Sequence, residues 1–350
     1  MTIKVLVVDD SALIRQILGE IIKSEPDMQL VGAAPDAFVA KKLVQETQPD
    51  VITLDIEMPK VDGLRFLEVL MSARPTPVVM ISTLTEKGAD ATFRSLELGA
   101  VDFVAKPKIE VAEGMAAYHE MIVEKIRTAA RARVKKPAKS TVGVSTIKSI
   151  SYQGTEKLIA IGASTGGTEA IKEILSTFPA NAPATIITQH MPAGFTTTYA
   201  KRLNSICHIT VREAQGGERL LPGQAYIAPG DKHMEVERSG ADYRIRLTDG
   251  PRVSGHKPSV DTLFYSLCKS AGSNAIGILL TGMGSDGATG LLELYNGGSE
   301  TFCQDEASCI VYGMPKVAIE KGAAKNIVSL ANMGKEILQA VDKMDAGSRL

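Results

Sequence analysis

The chain has 350 residues, 44% of them hydrophobic and 23% charged, with a formal net charge of −1. This length exceeds what one core ordinarily fills, so two domains are expected, and the balanced charge excludes a nucleic-acid coat or a charged disordered tail and names no partner. The four cysteines (Cys207, Cys268, Cys303 and Cys309) form no CxxC pair and read as reduced core thiols, and no run approaches about 18 apolar residues, so neither signal peptide nor membrane span is expected and the cytoplasm is the expected compartment.

The first third alternates short β-branched runs with amphipathic helical patterns, and strands are expected at 3–8, 28–33, 51–54, 78–81 and 101–105. Strand-helix alternation predicts a parallel sheet. Asp9 and Asp10 follow the run VLVV and Asp55 follows VITL, so three carboxylates stand at strand ends, where open α/β sheets place their ligands. Any one of them alone is accounted for as a helix cap. Clustered, they repel, and a hard cation offsets that repulsion; Mg²⁺ suits a few carboxylates plus phosphate oxygens. Ser82, after VVMI, adds a hydroxyl, and Lys106, after DFVA, adds a cation suited to a phosphoryl anion.

The segments VVDDS (Val7 to Ser11) and LDIEMPKVDG (Leu54 to Gly63), the Ser82 position and the pair Lys106-Pro107 resemble a two-component receiver domain over nearly its whole length. The resemblance implies a flavodoxin-like, five-stranded parallel sheet in which Asp55 takes a phosphoryl group from a histidine kinase. It also implies that Asp9 and Asp10, with Asp55, hold Mg²⁺ in the receiver, and that Ser82 and Lys106 read the phosphorylated state. Phe103 matches the family's switch-aromatic position and is equally accounted for as a core aromatic.

A last helical pattern ends near Arg133, and KKPAKSTVGVSTIKSISYQGTEK then reads as a linker. Lys125, Arg127, Arg131, Arg133, Lys135, Lys136 and Lys139 make one basic run, read as a solvated helix end and linker because no base-reading motif accompanies it. The expected division is residues 1–124 for the first domain, 125–156 for the basic helix end and linker, and 157–345 for the second domain.

From Leu158 a second α/β pattern begins: strand LIAIG, helix TEAIKEILSTF, strand ATIITQ, a helical stretch from Thr196 to Ser205, then strand AIGILL and helix ATGLLELY. A doubly wound domain with a mainly parallel sheet is expected, with a short antiparallel excursion between Val211 and Leu247. Ser164 lies in Gly162-Ala163-Ser164-Thr165-Gly166 at a strand-to-helix turn that can expose a hydroxyl beside helix amides. A glycine-rich turn can also cradle a phosphate or dinucleotide, but the GxGxxG spacing and a P-loop lysine are missing, and apolar ATIIT stands where an acidic ribose partner belongs.

A serine nucleophile requires a base, and His190, at the end of ATIITQ, shares the sheet edge with Ser164. His208, His233 and His256 read as structural or substrate-facing, with His256, beside Lys257, able to line a site. Asp286, in TGMGSDG after AIGILL, is the candidate to orient the base, or else an N-cap of the following helix. Backbone amides near Met283 are candidates for an oxyanion site. A second set, Ser164, Asp249 and His256, would restore the chain order of α/β-hydrolases, although neither partner ends a strong buried strand.

The motifs GASTGG, TQHMP, APGDKHM, HKPSVD and LLTGMGSDGA resemble the chemotaxis protein-glutamate methylesterases, the CheB family, and the resemblance spans the entire chain, with matches at Ser164, His190, Met283 and Asp286. It implies hydrolysis of glutamate γ-methyl esters on chemoreceptor signalling helices and deamidation of selected glutamines, with no cofactor for the esterase reaction. The implied partners are a chemotaxis histidine kinase as phosphodonor and methyl-accepting chemoreceptors as substrate, with no nucleic acid and no membrane insertion. It further implies that the unphosphorylated receiver covers the active-site edge and that phosphorylation of Asp55 relieves this.

Overall fold

The computed structural model describes residues 2–59, 61–83, 85–106, 112–134 and 157–347, which fall into two compact units, 2–134 and 157–347. Pro107 and most of the expected linker, 135–156, lie outside the described residues. Among the described residues no helix is long and apolar enough to cross a membrane.

The first unit runs β1 (Ile3–Val8), α1 (Ala12–Ser24), β2 (Met28–Ala34), α2 (Ala37–Thr47), β3 (Val51–Asp55), α3 (Gly63–Ala73), β4 (Val78–Ser82), α4 (Glu86–Glu97), β5 (Asp102–Ala105) and α5 (Ala112–Arg131). Its five strands pair in parallel in the order β2-β1-β3-β4-β5. β3 and β4 are buried at every residue, which is why VITLD and VVMIS read as continuous runs rather than as alternation. Ser11, Asp36, Asp62 and Thr85 accept first-turn amides of α1 to α4. The cap of α1 is therefore Ser11, and neither Asp9 nor Asp10 is spent on that task. Lys125 pairs with Asp102 at 2.7 Å, and Arg127 reaches Glu25 and Asp27 at 2.7 and 2.6 Å. The first two cations of the basic run thus tie α5 to β5 and to the α1–β2 turn.

The second unit runs β6 (Leu158–Ala163), α6 (Gly167–Leu175), β7 (Ala184–Gln189), α7 (Phe195–Ile206), β8 (Thr210–Glu213), β9 (Gln224–Ile227), β10 (His233–Ser239), β11 (Asp242–Thr248), α8 (Val260–Ala271), β12 (Ala275–Leu279), α9 (Ala288–Asn296), β13 (Glu300–Gln304), α10 (Met314–Glu320), β14 (Asn326–Val328) and α11 (Leu330–Gly347). Seven strands form a parallel sheet in the order β14-β13-β12-β6-β7-β9-β8. The chain leaves β6 toward β7 and later returns to the other side of β6 as β12. That reversal opens a crevice at the carboxyl ends of these strands. The antiparallel excursion comprises the hairpin β10–β11 and the segment 217–220, which bonds to β11 (Leu220 N to Tyr243 O and Ile245 N to Glu218 O, each 2.9 Å), whereas β8 and β9 extend the parallel sheet. Period-two alternation is the same for either direction of pairing, so the pattern between Val211 and Leu247 could not distinguish them. The hairpin packs on α8, where Met234, Val236, Tyr243 and Ile245 share a buried cluster with Val260, Leu263, Phe264 and Leu267. The four cysteines are not joined in disulfides; Cys303 and Cys309 are buried, and Cys207 and Cys268 are half-buried.

Candidate active sites

In the first unit, Asp55 ends β3, Asp9 and Asp10 follow β1, and Lys106 follows β5. Lys106 Nζ lies 2.8 Å from Asp55 Oδ2 and 3.4 Å from Asp9 Oδ2. Carboxylate oxygens of Asp9, Asp10 and Asp55 lie within 4.8 Å of one another, with Asp9 and Asp55 buried and Asp10 exposed. Burial pushes the Asp55 carboxyl up to about 6, opposed by the bond from Lys106 and reinforced by Asp9. Burial likewise raises Asp9 against the pull of Lys106. Apart from the 3.4 Å approach of Lys106 Nζ, buried Asp9 Oδ2 has no hydrogen-bond partner among the described residues. One ammonium pairs with two of the three clustered carboxylates, and this donor set fits a hard divalent cation.

The two remaining receiver candidates face α4. Ser82 Oγ donates to Gly88 O at 3.2 Å and accepts from Thr92 Oγ1 at 2.7 Å, so its hydroxyl is engaged away from the carboxylates. Phe103 is buried and meets Phe93 edge to face, with ring centroids 6.5 Å apart. Thr92 was not among the candidates, because a lone threonine within a helical pattern carries no signal of its partner.

In the second unit, Ala163 and Gln189 are register partners, so Ser164 and His190 leave adjacent strands at the same level, and His190 N donates to Ala163 O at 3.1 Å. Ser164 N donates to Thr281 O at 3.1 Å, while Ser164 O accepts from Gly167 N and Gln189 Nε2 at 2.8 and 2.9 Å. The turn into α6 passes through Gly166 at φ 78°, a left-handed conformation that glycine adopts without penalty. A Cβ on Gly282 would lie 2.7 Å from Ser164 Cβ, so only glycine lets the loop after β12 approach the serine this closely. Met283 follows directly on that approach. The loop is held by Gly282 N on Val311 O at 3.1 Å and by Gly313 N and Met314 N on Gly282 O at 3.1 and 2.9 Å.

His190 Nε2 and Asp286 Oδ2 are 2.8 Å apart, with side chains 6% and 1% exposed. Asp286 also accepts from Ser259 Oγ at 2.8 Å, Val260 N at 2.7 Å and Asp261 N at 3.1 Å. Burial works to raise its pKa, but the bonds from His190, Val260 and Asp261 outweigh it and hold the carboxyl below the ordinary carboxylate range. The amides belong to the first turn of α8, whose positive end favours the anion. Asp286 therefore does not cap the helix that follows it: the N-cap of α9 is Gly287, which has no side chain to offer, and Asp261 of α8 accepts from Gly290 N at 2.7 Å. The two helices exchange carboxylate caps.

His190 Nδ1 is buried and has no hydrogen-bond partner among the described residues. The His256 ring stacks on the His190 ring, with centroids 3.7 Å apart and planes 12° apart. Asp249 is exposed and pairs with Lys257 at 2.6 Å, so the set Ser164, Asp249 and His256 is not brought together around Asp249. His208 is exposed and His233 is buried. Ser259 and the amides of Val260 and Asp261 were missed. A serine opening the run Val260, Leu263, Phe264, Leu267 does signal a helix start, but nothing local shows that Asp286 receives those amides.

A model of the CheB methylesterase family matches residues 159–337, and a model of the response regulator receiver domain matches residues 5–119. A protein-glutamate methylesterase/protein-glutamine glutaminase of Salmonella typhimurium is 56% identical over 348 residues, 99% of either chain. A protein of the same name from Escherichia coli K12 is 55% identical over 348 residues, again 99% of each. The crystal structure of the Thermotoga maritima CheB methylesterase catalytic domain superposes with a TM-score of 0.52 at 33% identity, covering 53% of this chain and 100% of that one.

Proposed function

The chain belongs to the CheB methylesterase family, and from that premise we propose how its two strand-end sites divide the work. It is a protein-glutamate methylesterase and protein-glutamine glutaminase controlled by a response-regulator receiver domain, acting in chemotactic adaptation. The receiver is assigned residues 1–124, the catalytic domain 157–345, with the end of α5 and the segment to 156 between them. The substrates are γ-methyl esters of glutamate, and selected glutamines, on chemoreceptor signalling helices. The phosphodonor is a chemotaxis histidine kinase, and the enzyme works in the cytoplasm.

In the catalytic domain Ser164 is the nucleophile, His190 the general base and Asp286 its orienting anion. Asp286 engages Nε2–H, which leaves Nδ1 to take the proton from Ser164 Oγ. Oγ then bonds to the γ-acyl carbon, and backbone amides around Met283 stabilise the tetrahedral oxyanion. As the intermediate collapses, the imidazolium returns its proton to the leaving methoxide, releasing methanol, or to the leaving amine, releasing ammonia. Water, deprotonated by His190, cleaves the acyl-enzyme and frees the glutamate carboxylate. The observation that carries this reading is the buried 2.8 Å His190–Asp286 pair one residue beyond the strand that pairs with β6 and Ser164.

In the receiver, Asp55 Oδ attacks the phosphorus of the phosphodonor, and the P–N bond to the donor histidine breaks. Asp9, Asp10 and Asp55 would hold Mg²⁺, which when bound neutralises charge on the transferring phosphoryl group. Lys106 supplies a cation to the new anion. Ser82 must exchange its bonds to Thr92 and Gly88 for one to the phosphoryl group, and Phe103 against Phe93 senses the same helix, so the change is passed to α4. Phosphorylation relieves inhibition of the catalytic domain by its lower free energy in the active arrangement. Labelling with a fluorophosphonate, mapped by peptide mass spectrometry, tests the nucleophile. The label is expected on Ser164 and is expected to be lost in His190→Ala; a label on another serine contradicts the assignment.

A further inference from the structure

We infer that His233 is a positioning residue for hydrolysis: its buried imidazole clamps the segment 251–259 at both ends, and that segment holds His190 from two sides. The inference rests on the reading above that His190 and Asp286 serve Ser164. His233 opens β10 and is 2% exposed. Its Nε2 lies 2.8 Å from Pro251 O, and Ser259 N lies 3.2 Å from its Nδ1. A carbonyl can only accept and an amide N–H can only donate, so Nε2 carries the proton, Nδ1 offers its lone pair, and the ring is the neutral Nε2–H tautomer.

Between the two clamped points the chain is a built device. Val253 and His256 exchange backbone bonds at 3.0 and 2.9 Å across a turn whose central residues, Ser254 and Gly255, have φ of 52° and 82°. Two successive positive φ values are the signature of a tight type I′ hairpin turn. One arm of this hairpin ends at His256, which lies flat on His190. The far end of the segment is Ser259, whose hydroxyl, with the amides of Val260 and Asp261, fixes the Asp286 carboxylate that holds His190 Nε2. One ring thus sets both the plane of the His190 imidazole, through the stack, and its direction, through the carboxylate. His233 itself is too deeply buried to touch substrate. Its loss should therefore misplace the base and lower kcat, leaving KM nearly unchanged.

The test uses the full chain with an acyl phosphate phosphodonor and methyl-esterified receptor membranes, with rates expressed per folded protein, the folded fraction being read from far-UV circular dichroism and the thermal melt. His233→Gln keeps a donor for Pro251 and loses the acceptor for Ser259, whereas His233→Asn keeps the acceptor and loses the donor. The Gln variant is expected to lose about tenfold to a hundredfold in kcat with KM within about twofold of wild type, and the Asn variant to keep a larger share. A kcat per folded protein within about twofold of wild type in the Gln variant, a loss confined to KM, or equal losses in the two variants overturns the inference. Failure of both variants to give the wild-type far-UV circular dichroism and a cooperative thermal melt assigns His233 to folding and overturns it too. Ser164→Ala run alongside keeps the two readings apart, since turnover by that variant would refute the catalytic assignment whatever His233 does.

Discussion

The two strand-end clusters occupy equivalent places, the carboxyl edge of a parallel α/β sheet, and are opposite in their electrostatics. In the receiver, the burial of Asp9 and Asp55 is only partly compensated: burial raises both carboxyls, Asp55 to about 6, and among the described residues Asp9 Oδ2 has only the 3.4 Å approach of Lys106. In the catalytic domain Asp286 is as deeply buried, yet the His190 ring and the Val260 and Asp261 amides of α8 hold its carboxyl below the ordinary range. Burial by itself therefore does not fix a carboxylate's state; the donors do. A site left short of positive charge is fitted to gain some, from a cation and then a phosphoryl transfer. A site already satisfied is fitted to stay rigid through many turnovers.

The sharpest way to break the comparison is to remove the charge that the catalytic site has compensated. Asp286→Asn should lower kcat about 10³- to 10⁴-fold, because an amide facing Nε2 disturbs the tautomer that leaves Nδ1 basic. The same change should cost on the order of 1 to 3 kcal/mol of stability, since the first turn of α8 loses an anionic acceptor, measurable by denaturant unfolding. A variant with wild-type turnover would show that the pair is structural only. In the receiver, Asp55→Asn removes the acceptor, so the ratio of esterase rates with and without phosphodonor should fall to about one. A retained ratio would place the phosphoacceptor elsewhere.

Gly282→Ala tests how closely the loop carrying Met283 must approach the serine. The added methyl would meet Ser164 Cβ and the Met314 sulfur, and a cost of about 1 to 3 kcal/mol with a tenfold or greater drop in turnover is expected from thermal melting and methanol release. The smallest effect is the pH dependence of the receiver. The folded-state pKa of Asp55 is raised above the ordinary 3.8, so the folded state binds this proton more tightly than the unfolded chain. Its contribution to stability is therefore fully present below about pH 4 and is lost as pH rises through about 6. Hydrogen exchange of β3 amides without divalent cations should show weaker protection at about pH 7 than at about pH 5, with Mg²⁺ restoring protection mainly at the higher pH. Equal Mg²⁺ effects at both would mean that Asp55 is already ionised at the lower pH.

Much of this was legible in the residues. β-branched runs such as VLVV, VITL and ATIITQ are strands because each is buried on both faces, and acids, histidines or serines at their ends point to ligand edges in either domain. What local pattern does not carry is the identity of a partner brought in by tertiary packing. Asp286 looks like a cap for α9 and instead takes the amides of α8. His256 sits in a polar loop with no sign that it stacks on His190. Ser82 stands where a phosphate-reading hydroxyl belongs, yet its bonds run to α4, a choice of rotamer that no sequence spacing encodes.

The joining of a receiver acceptor to a serine hydrolase is tested most directly by methanol release from methyl-esterified receptor membranes, using wild type and Ser164→Ala, each with and without a phosphodonor. Wild type should release methanol and do so faster with the phosphodonor, and Ser164→Ala should release about 10⁴-fold less under either condition. Methanol release by Ser164→Ala at the wild-type rate, or a wild-type rate indifferent to the phosphodonor, would contradict the account.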